Sequence, residues 1–242
     1  MCTIITADSS VEKQQVIERM LSDSLRNDDG FALALYVNGS YTVLKTMDIE
    51  TIINMVLISD YDRLWFHSRF ATRGLVTVAH THGFRSKHGH IVMHNGTIRR
   101  QRSGELLLPQ YEPEVDSVTI ADWLNEGNET RYMAEINTLD SLQAEPYSNV
   151  FLINTIDGYY HVHRNTHGTL YTDGNGNYST NAFGDIIQPV SKGTQSCHHL
   201  EELELDYQTT FDVPMSPKRQ VASKLDEADN YVWLPKKRSS KV

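Results

Sequence analysis

The chain has 242 residues, 39% of them hydrophobic, with 31 acidic side chains against 22 Lys and Arg and a formal net charge of −9 at pH 7. That length suits one large domain better than two small ones, the two cysteines do not make a disulfide framework, and no apolar run approaches the roughly 20 residues of a membrane span. The charge disfavours a general grip on nucleic acid, and the first residues lack the basic and apolar regions of a secretory signal, so the expectation is a soluble cytoplasmic protein with small-molecule or protein partners.

In chain order, "CTIIT" reads as a short strand. Ser9 and Glu12 have capping-box spacing, and Val16, Ile17, Met20, Leu21 and Leu25 fall at helical spacing, which predicts a helix over about 10–26. "FALALYV" and "YTVLK" flank Asn38-Gly39-Ser40, a strong hairpin signal. A second helix follows over "DIETIINMVLI" with Asp48 as its N-cap, and then strand-like pieces "RLWFHS", "LVTVAH" and "HIVMHN". After a loop rich in Arg, Gly and Pro, Asp116 or Ser117 is expected to cap a third helix through Ile120, Trp123 and Leu124. "NVFLINT", "YYHVHR", "GTLYT" and "NYSTNAF" are separated by Asp157-Gly158, Asn165 to Gly168 and Asp173-Gly174, which predicts an antiparallel meander. The order fits two antiparallel sheets with helices outside them, an α+β arrangement. Residues 1–200 are read as one domain and 201–242 as an extension, acidic and then basic, that lies on the surface or moves freely, with "VWLP" able to dock on the body.

Cys2 raises the chemical question. If Met1 is removed, this residue carries a thiol nucleophile and a free α-amine, whose ordinary pKa of about 8 leaves a neutral fraction to act as base. Such a nucleophile needs oxyanion donors and a cation to fix the substrate, and "HSRFATRG", "AHTH" and "HNG" offer them close together. Arg69 can clamp a carboxylate, the Asn95 side chain and Gly96 N–H can hold an oxyanion, and Asp116 can bind an ammonium. The histidine pairs 80/82, 88/90 and 161/163 have i,i+2 spacing, but without a carboxylate or cysteine motif beside them they are read as polar-face histidines, and no metal is expected. Cys197 in "CHHL" is read as structural and "DGNGNY" as a turn without the spacing of a calcium loop.

Six motifs in order carry a resemblance: "MC", "DDGFALAL", "HSRFATRG", "AHTH", "HNG" and "VDS". Together they resemble the glutaminase domain of class II glutamine amidotransferases, which are N-terminal-nucleophile hydrolases, and the similarity runs over roughly residues 1–190. The resemblance implies a four-layer αββα sandwich and hydrolysis of the glutamine side-chain amide to ammonia and glutamate, with no cofactor. It implies Cys2 as nucleophile, Asn95 and Gly96 as oxyanion hole, Arg69 on the α-carboxylate, Asp116 on the α-ammonium, Thr72 and His82 lining the pocket, and Gly74 allowing close backbone approach. The implied domain works alone or with a separate acceptor subunit, since the remaining residues are too few for a synthase domain. Thr3, Arg73 and Thr81 depart from the family's glycine, histidine and proline. The alternatives are a hydrolase of another γ-glutamyl amide and a catalytically silent binding protein on the same fold.

Overall fold

The computed structural model describes residues 1–72, 74–98, 115–126, 130–145, 148–166 and 168–200, with the backbone of 233 and 234. The element order is β1 (Thr3–Asp8), α1 (Lys13–Ser24), β2 (Phe31–Val37), β3 (Ser40–Thr46), α2 (Ile49–Ile58), β4 (Arg63–Ser68), β5 (Phe84–Arg85), β6 (His90–Gly96), α3 (Val118–Asn125), α4 (Arg131–Gln143), β7 (Ser148–Asn154), β8 (Tyr159–Arg164), β9 (Tyr171–Thr172), β10 (Tyr178–Ser179), β11 (Gln188–Pro189), β12 (Thr194–His199) and β13 (Trp233–Leu234). One sheet runs β11-β9-β10-β1-β4-β2-β3-β13 and the other β12-β8-β7-β6-β5. All pairings are antiparallel except β13, which lies parallel to β3 opposite Lys45 and Thr46.

Period-2 alternation divides each sheet between two cores. Ile4, Ala32, Ala34 and Trp65 of the first sheet pack against Ile91, Met93, Phe151, Tyr160 and Val162 of the second. The opposite face of the first sheet, with Ile5, Leu33, Leu35, Leu64 and Phe66, is covered by Val16, Ile17 and Met20 of α1 and Ile52 and Val56 of α2. The opposite face of the second, with Val92, Val150 and Leu152, is covered by Ile120 and Leu124 of α3 and Leu142 of α4. These are the four layers that the sequence reading expects.

Local differences have identifiable causes. Helix α1 begins at Lys13 with Glu12 at its N-cap and no side-chain cap, so the capping box read at Ser9 and Glu12 does not form; Ser10 just before it donates to the Asp8 carboxylate. Its buried face is Val16, Ile17, Met20 and Asp23, while Leu21 and Leu25 are exposed. Asp48 caps α2 by accepting from Glu50 N–H. Ser117 precedes α3 without capping it, since its hydroxyl is engaged by His94 Nδ1 at 2.7 Å. "LVTVAH" is no strand but a loop ending in one 3₁₀ turn, Val78–His80. Helix α4, unanticipated, starts at Thr130, whose hydroxyl accepts from Met133 N–H. The expected meander is split: β7 and β8 pair in one sheet, and β9 and β10 cross to the other beside β1. Cys197 is exposed on β12, opposite His161, and in the Asp173 turn the carboxylate is satisfied locally by Asn175 N–H and Asn177 Nδ2.

Candidate active site

Alternation places the site. In β1 the parity of Ile4 also turns Cys2 toward the space between the sheets. In β4 the parity of Trp65 does the same for His67, and in β6 that of Ile91 and Met93 does it for Asn95. These residues converge at one end of the sandwich. There Cys2, Asn95 and Phe70 line a cavity of about 550 Å³, which continues past Thr3, Thr180 and Asn181 to Arg19, Ser22 and Asp23 in the C-terminal half of α1 and Arg26 just beyond it.

The Cys2 sulfur receives Phe70 N–H at 3.4 Å and lies 3.6 Å from Phe70 O. Burial pushes its thiol above the usual range, against the opposing pull of the Phe70 amide, the chain's N-terminus and Arg69; Asp116 adds a smaller upward push. Met1 is present and lines the same cavity. In this form the Cys2 nitrogen is an amide with no lone pair for a proton, so the α-amine base exists only once Met1 has left.

Motif residues that are distant in sequence meet here. Asp29 Oδ2 accepts from Ala71 N–H at 2.8 Å, Asp29 N–H donates to Arg69 O, and Arg69 N–H donates to Gly30 O. The "DDG" turn thereby holds the segment that carries Arg69 and Phe70. Gly30 has φ +129°, and a Cβ there would collide with Thr81 Cγ2. Thr81 is buried, and its carbonyl accepts from Lys45 Nζ at 3.1 Å. Gly74 has φ +73°, with the Val115 backbone and the Arg69 guanidinium close to where its Cβ would stand.

The other expected residues fall as follows. Asn95 and Gly96 are the last two residues of β6, opposite Asn149 and Ser148, rather than a turn beyond the strand. Asn95 is buried, its Oδ1 has no hydrogen bond among the described residues, and Gly96 has φ +151°. Arg69 is buried behind the cavity, with Nη1 donating to Leu75 O at 2.7 Å. Asp116 Oδ2 accepts from Ile98 N–H at 2.8 Å. Neither Arg69 nor Asp116 is on the cavity wall, although both act electrostatically on the Cys2 thiol. Thr72 is exposed on the loop after β4. His82 does not line the cavity; it is buried against His67. Thr3 Oγ1 lies 3.5 Å from Asn27 Nδ2 on the α1 side, and Arg73 lies outside the described residues.

Cys2 Sγ and ring nitrogens of His67 and His82 lie within 4.8 Å of one another. Their hydrogen bonds decide whether this donor set suits a metal. His67 Nε2 lies 3.1 Å from His94 O, so it carries the proton and leaves the lone pair on Nδ1. His82 Nδ1 accepts from His94 N–H at 3.0 Å, so in the neutral ring the proton sits on Nε2, 3.4 Å from Ser117 Oγ. One ring offers a free lone pair and the other does not, which leaves two ready donors where a zinc site needs three or four. The other paired histidines go elsewhere: His90 and His161 both bond to the buried Glu135 carboxylate, with Tyr159 and Asn154, and Gln195 Nε2 lies 3.1 Å from His163 Nδ1.

Sequence reasoning missed His67 and the α1 wall. A signal for the wall was present: Asp23 stands three residues after Met20 on the apolar stripe of α1, where an acid is out of place. It is buried beneath an ion pair with Arg19, and Asn181 Nδ2 donates to it at 3.0 Å.

No protein-family model and no curated protein matches the sequence. Solved structures do. A glutamine phosphoribosylpyrophosphate amidotransferase from B. subtilis aligns with TM-score 0.53 and 12% identity, covering 82% of this chain and 49% of its own. A structure described as the allosteric regulatory enzyme of purine biosynthesis aligns with TM-score 0.53 and 11% identity over the same shares. The chain thus spans about half the length of either. At such identity the likeness speaks for the fold, and it agrees with the order of motifs read from the sequence. The chain shares the layered, two-sheet fold of these two structures.

Proposed function

We propose that this protein hydrolyses the side-chain amide of glutamine or of a related γ-glutamyl amide, with Cys2 as nucleophile after removal of Met1. The observation that supports this reading best is that Cys2, just before β1, and Asn95 of β6 in the other sheet wall one cavity at the end of a fold shared with amidotransferases.

In the proposed reaction the Cys2 α-amine takes the thiol proton, and the thiolate adds to the amide carbon. The negative oxygen that forms is held by the Asn95 side chain and Gly96 N–H. The α-ammonium gives its proton to the amide nitrogen as the C–N bond breaks, releasing ammonia or an amine and leaving a γ-glutamyl thioester. The freed amine then activates water, which displaces the thiolate to give the γ-glutamyl acid. Arg69 and Asp116 hold the α-carboxylate and α-ammonium; because neither lines the cavity in this structure, that role requires the substrate to approach them from the β4 and α3 side of Cys2. Ammonia passes to water or to an acceptor bound by a separate subunit.

Intact mass after exposure to a diazoketone analogue of glutamine tests the proposal. The expected result is a chain lacking Met1 with one adduct on Cys2, no adduct in Cys2→Ala, and no amide hydrolysis by that variant. A processed chain that neither takes the adduct nor releases ammonia is instead a binding protein on this fold.

A further inference from the structure

Ammonia is about the size of water, whose share of liquid volume is about 30 Å³. The cavity beside Cys2 is about 550 Å³, with Met1 still on its wall, which is the size class of sites for whole small molecules. It lies on the α1 flank of Cys2, and neither Arg69 nor Asp116 lines it. If those two hold the glutamyl end, the cavity is where the group on the amide nitrogen must go.

Its wall is chemically selective. Arg19 is committed to an ion pair with Asp23 and also donates to Ser22 Oγ. Arg26, the other cation on the wall, makes no ion pair among the described residues. With Asp23 ionised, the Arg19, Asp23 and Arg26 group keeps one net positive charge. Asp23 Oδ2 is buried and without a hydrogen bond among the described residues, as is Asn95 Oδ1 at the cavity's other end. The wall therefore offers a cation for an anionic group, while those two oxygens lie beneath its surface.

Resting on the functional reading above, we propose that this cavity is a leaving-group subsite, and that the preferred substrate is a γ-glutamyl amide whose amine portion carries a carboxylate or comparable anion set against Arg26. The C–N bond of that amide breaks, the α-ammonium of Cys2 protonates the departing amine, and water hydrolyses the thioester; no further reactant is needed.

The processed full chain is assayed with glutamine, γ-glutamylglycine and γ-glutamylethylamide, the last two nearly equal in size and differing in the carboxylate. Wild type should cleave γ-glutamylglycine with kcat/KM about two- to fivefold above the ethylamide and above glutamine, the scale of one solvated charge contact. Arg26→Ala should collapse the ratio of glycine to ethylamide substrate toward one, and Arg26→Lys should restore part of it. Circular dichroism and the diazoketone adduct on Cys2 confirm that each variant is folded and reactive. A wild-type ratio at or below one, or a ratio unchanged in Arg26→Ala, overturns the subsite while leaving the nucleophile intact. Failure of wild type to form the adduct and to cleave any of the three overturns the functional reading itself, and the subsite with it.

Discussion

The imidazoles of His67 and His82 stack face to face, with ring centroids 3.6 Å apart and planes 9° from parallel. Neither ring has solvent to accept a charge into. Burial, then neighbouring cations and imidazoles, drives His67 down to about 3 and His82 well below the usual histidine value; burial alone takes His94 to about 4. The end of the sandwich nearest Cys2 is thus held by three neutral rings linked through His94 and Ser117.

The first prediction is acid sensitivity. In the unfolded chain these histidines titrate near 6.5; in the folded chain His67 stays neutral to about 3 and His94 to about 4, and burial holds His82 well below its usual value. Between those values the unfolded state binds more protons, so the stabilisation is present above pH 6.5 and is lost as pH falls. Three groups give a slope of up to about 4 kcal/mol per pH unit. Urea midpoints from pH 7.5 to 4.5 should fall accordingly, and His67→Phe should flatten the slope by about one proton. A profile level down to pH 5 would show that the rings are not neutral in the core.

The second prediction concerns the turn under the site. Gly30→Ala meets both a positive φ and the Thr81 methyl group. A strained backbone residue costs about 1–2 kcal/mol and overpacking about 1–3 kcal/mol, so the variant should lose about 2–5 kcal/mol. Thermal or urea unfolding measures it. Recovery in the double variant Gly30→Ala, Thr81→Ser would assign the cost to the methyl contact, and no recovery would assign it to the backbone.

Much of this was legible beforehand, because period-2 alternation and Asn-Gly turns are local signals. The Asn38-Gly39 hairpin, with Val37 paired to Ser40, follows from them. The partition of β9 and β10 into the other sheet does not, because which sheet a two-residue strand joins is set by pairing with β1, more than 160 residues away in sequence (Ile5 opposite Ser179). "LVTVAH" has strand composition but is an exposed loop at Leu75 and Val76, where propensity yields to the Arg69 contact with Leu75 O. The site was readable as residue types, since chemistry restricts what can serve. Its walls were not, because Asp23 and Arg26 come to the cavity that Cys2 lines only through the packing of α1 on the first sheet.

The third prediction addresses the glutamyl end. Arg69→Ala and Asp116→Ala should each lower kcat/KM for glutamine by about 2–4 kcal/mol, the usual cost of removing one partner of a desolvated charge contact. Asp116 also holds Ile98 N–H, so Asp116→Asn, which keeps an acceptor there, separates the loss of charge from the loss of that anchor. Circular dichroism shows whether each variant folds. Folded variants with unchanged kcat/KM would remove both residues from substrate recognition.

The last prediction tests the oxyanion role of Asn95. In this fold the residue is not in a hairpin turn, since it pairs with Asn149 within β6 and β7, and a ladder depends on backbone groups that alanine retains. Its side chain faces the cavity that Cys2 also lines, and its Oδ1 is without a hydrogen bond among the described residues. An arriving negative oxygen would favour the orientation that turns Nδ2 toward it. If that interaction strengthens as the tetrahedral intermediate forms, its loss belongs in kcat rather than in ground-state binding. Asn95→Ala should lower kcat by about 10²- to 10³-fold, the usual cost of one oxyanion donor, with KM changed little and the unfolding midpoint close to wild type. Asn95→Asp should be as inactive, since it places a negative charge where one develops. A rise confined to KM, or an unfolded protein, would withdraw the role and leave Asn95 as a structural end to β6.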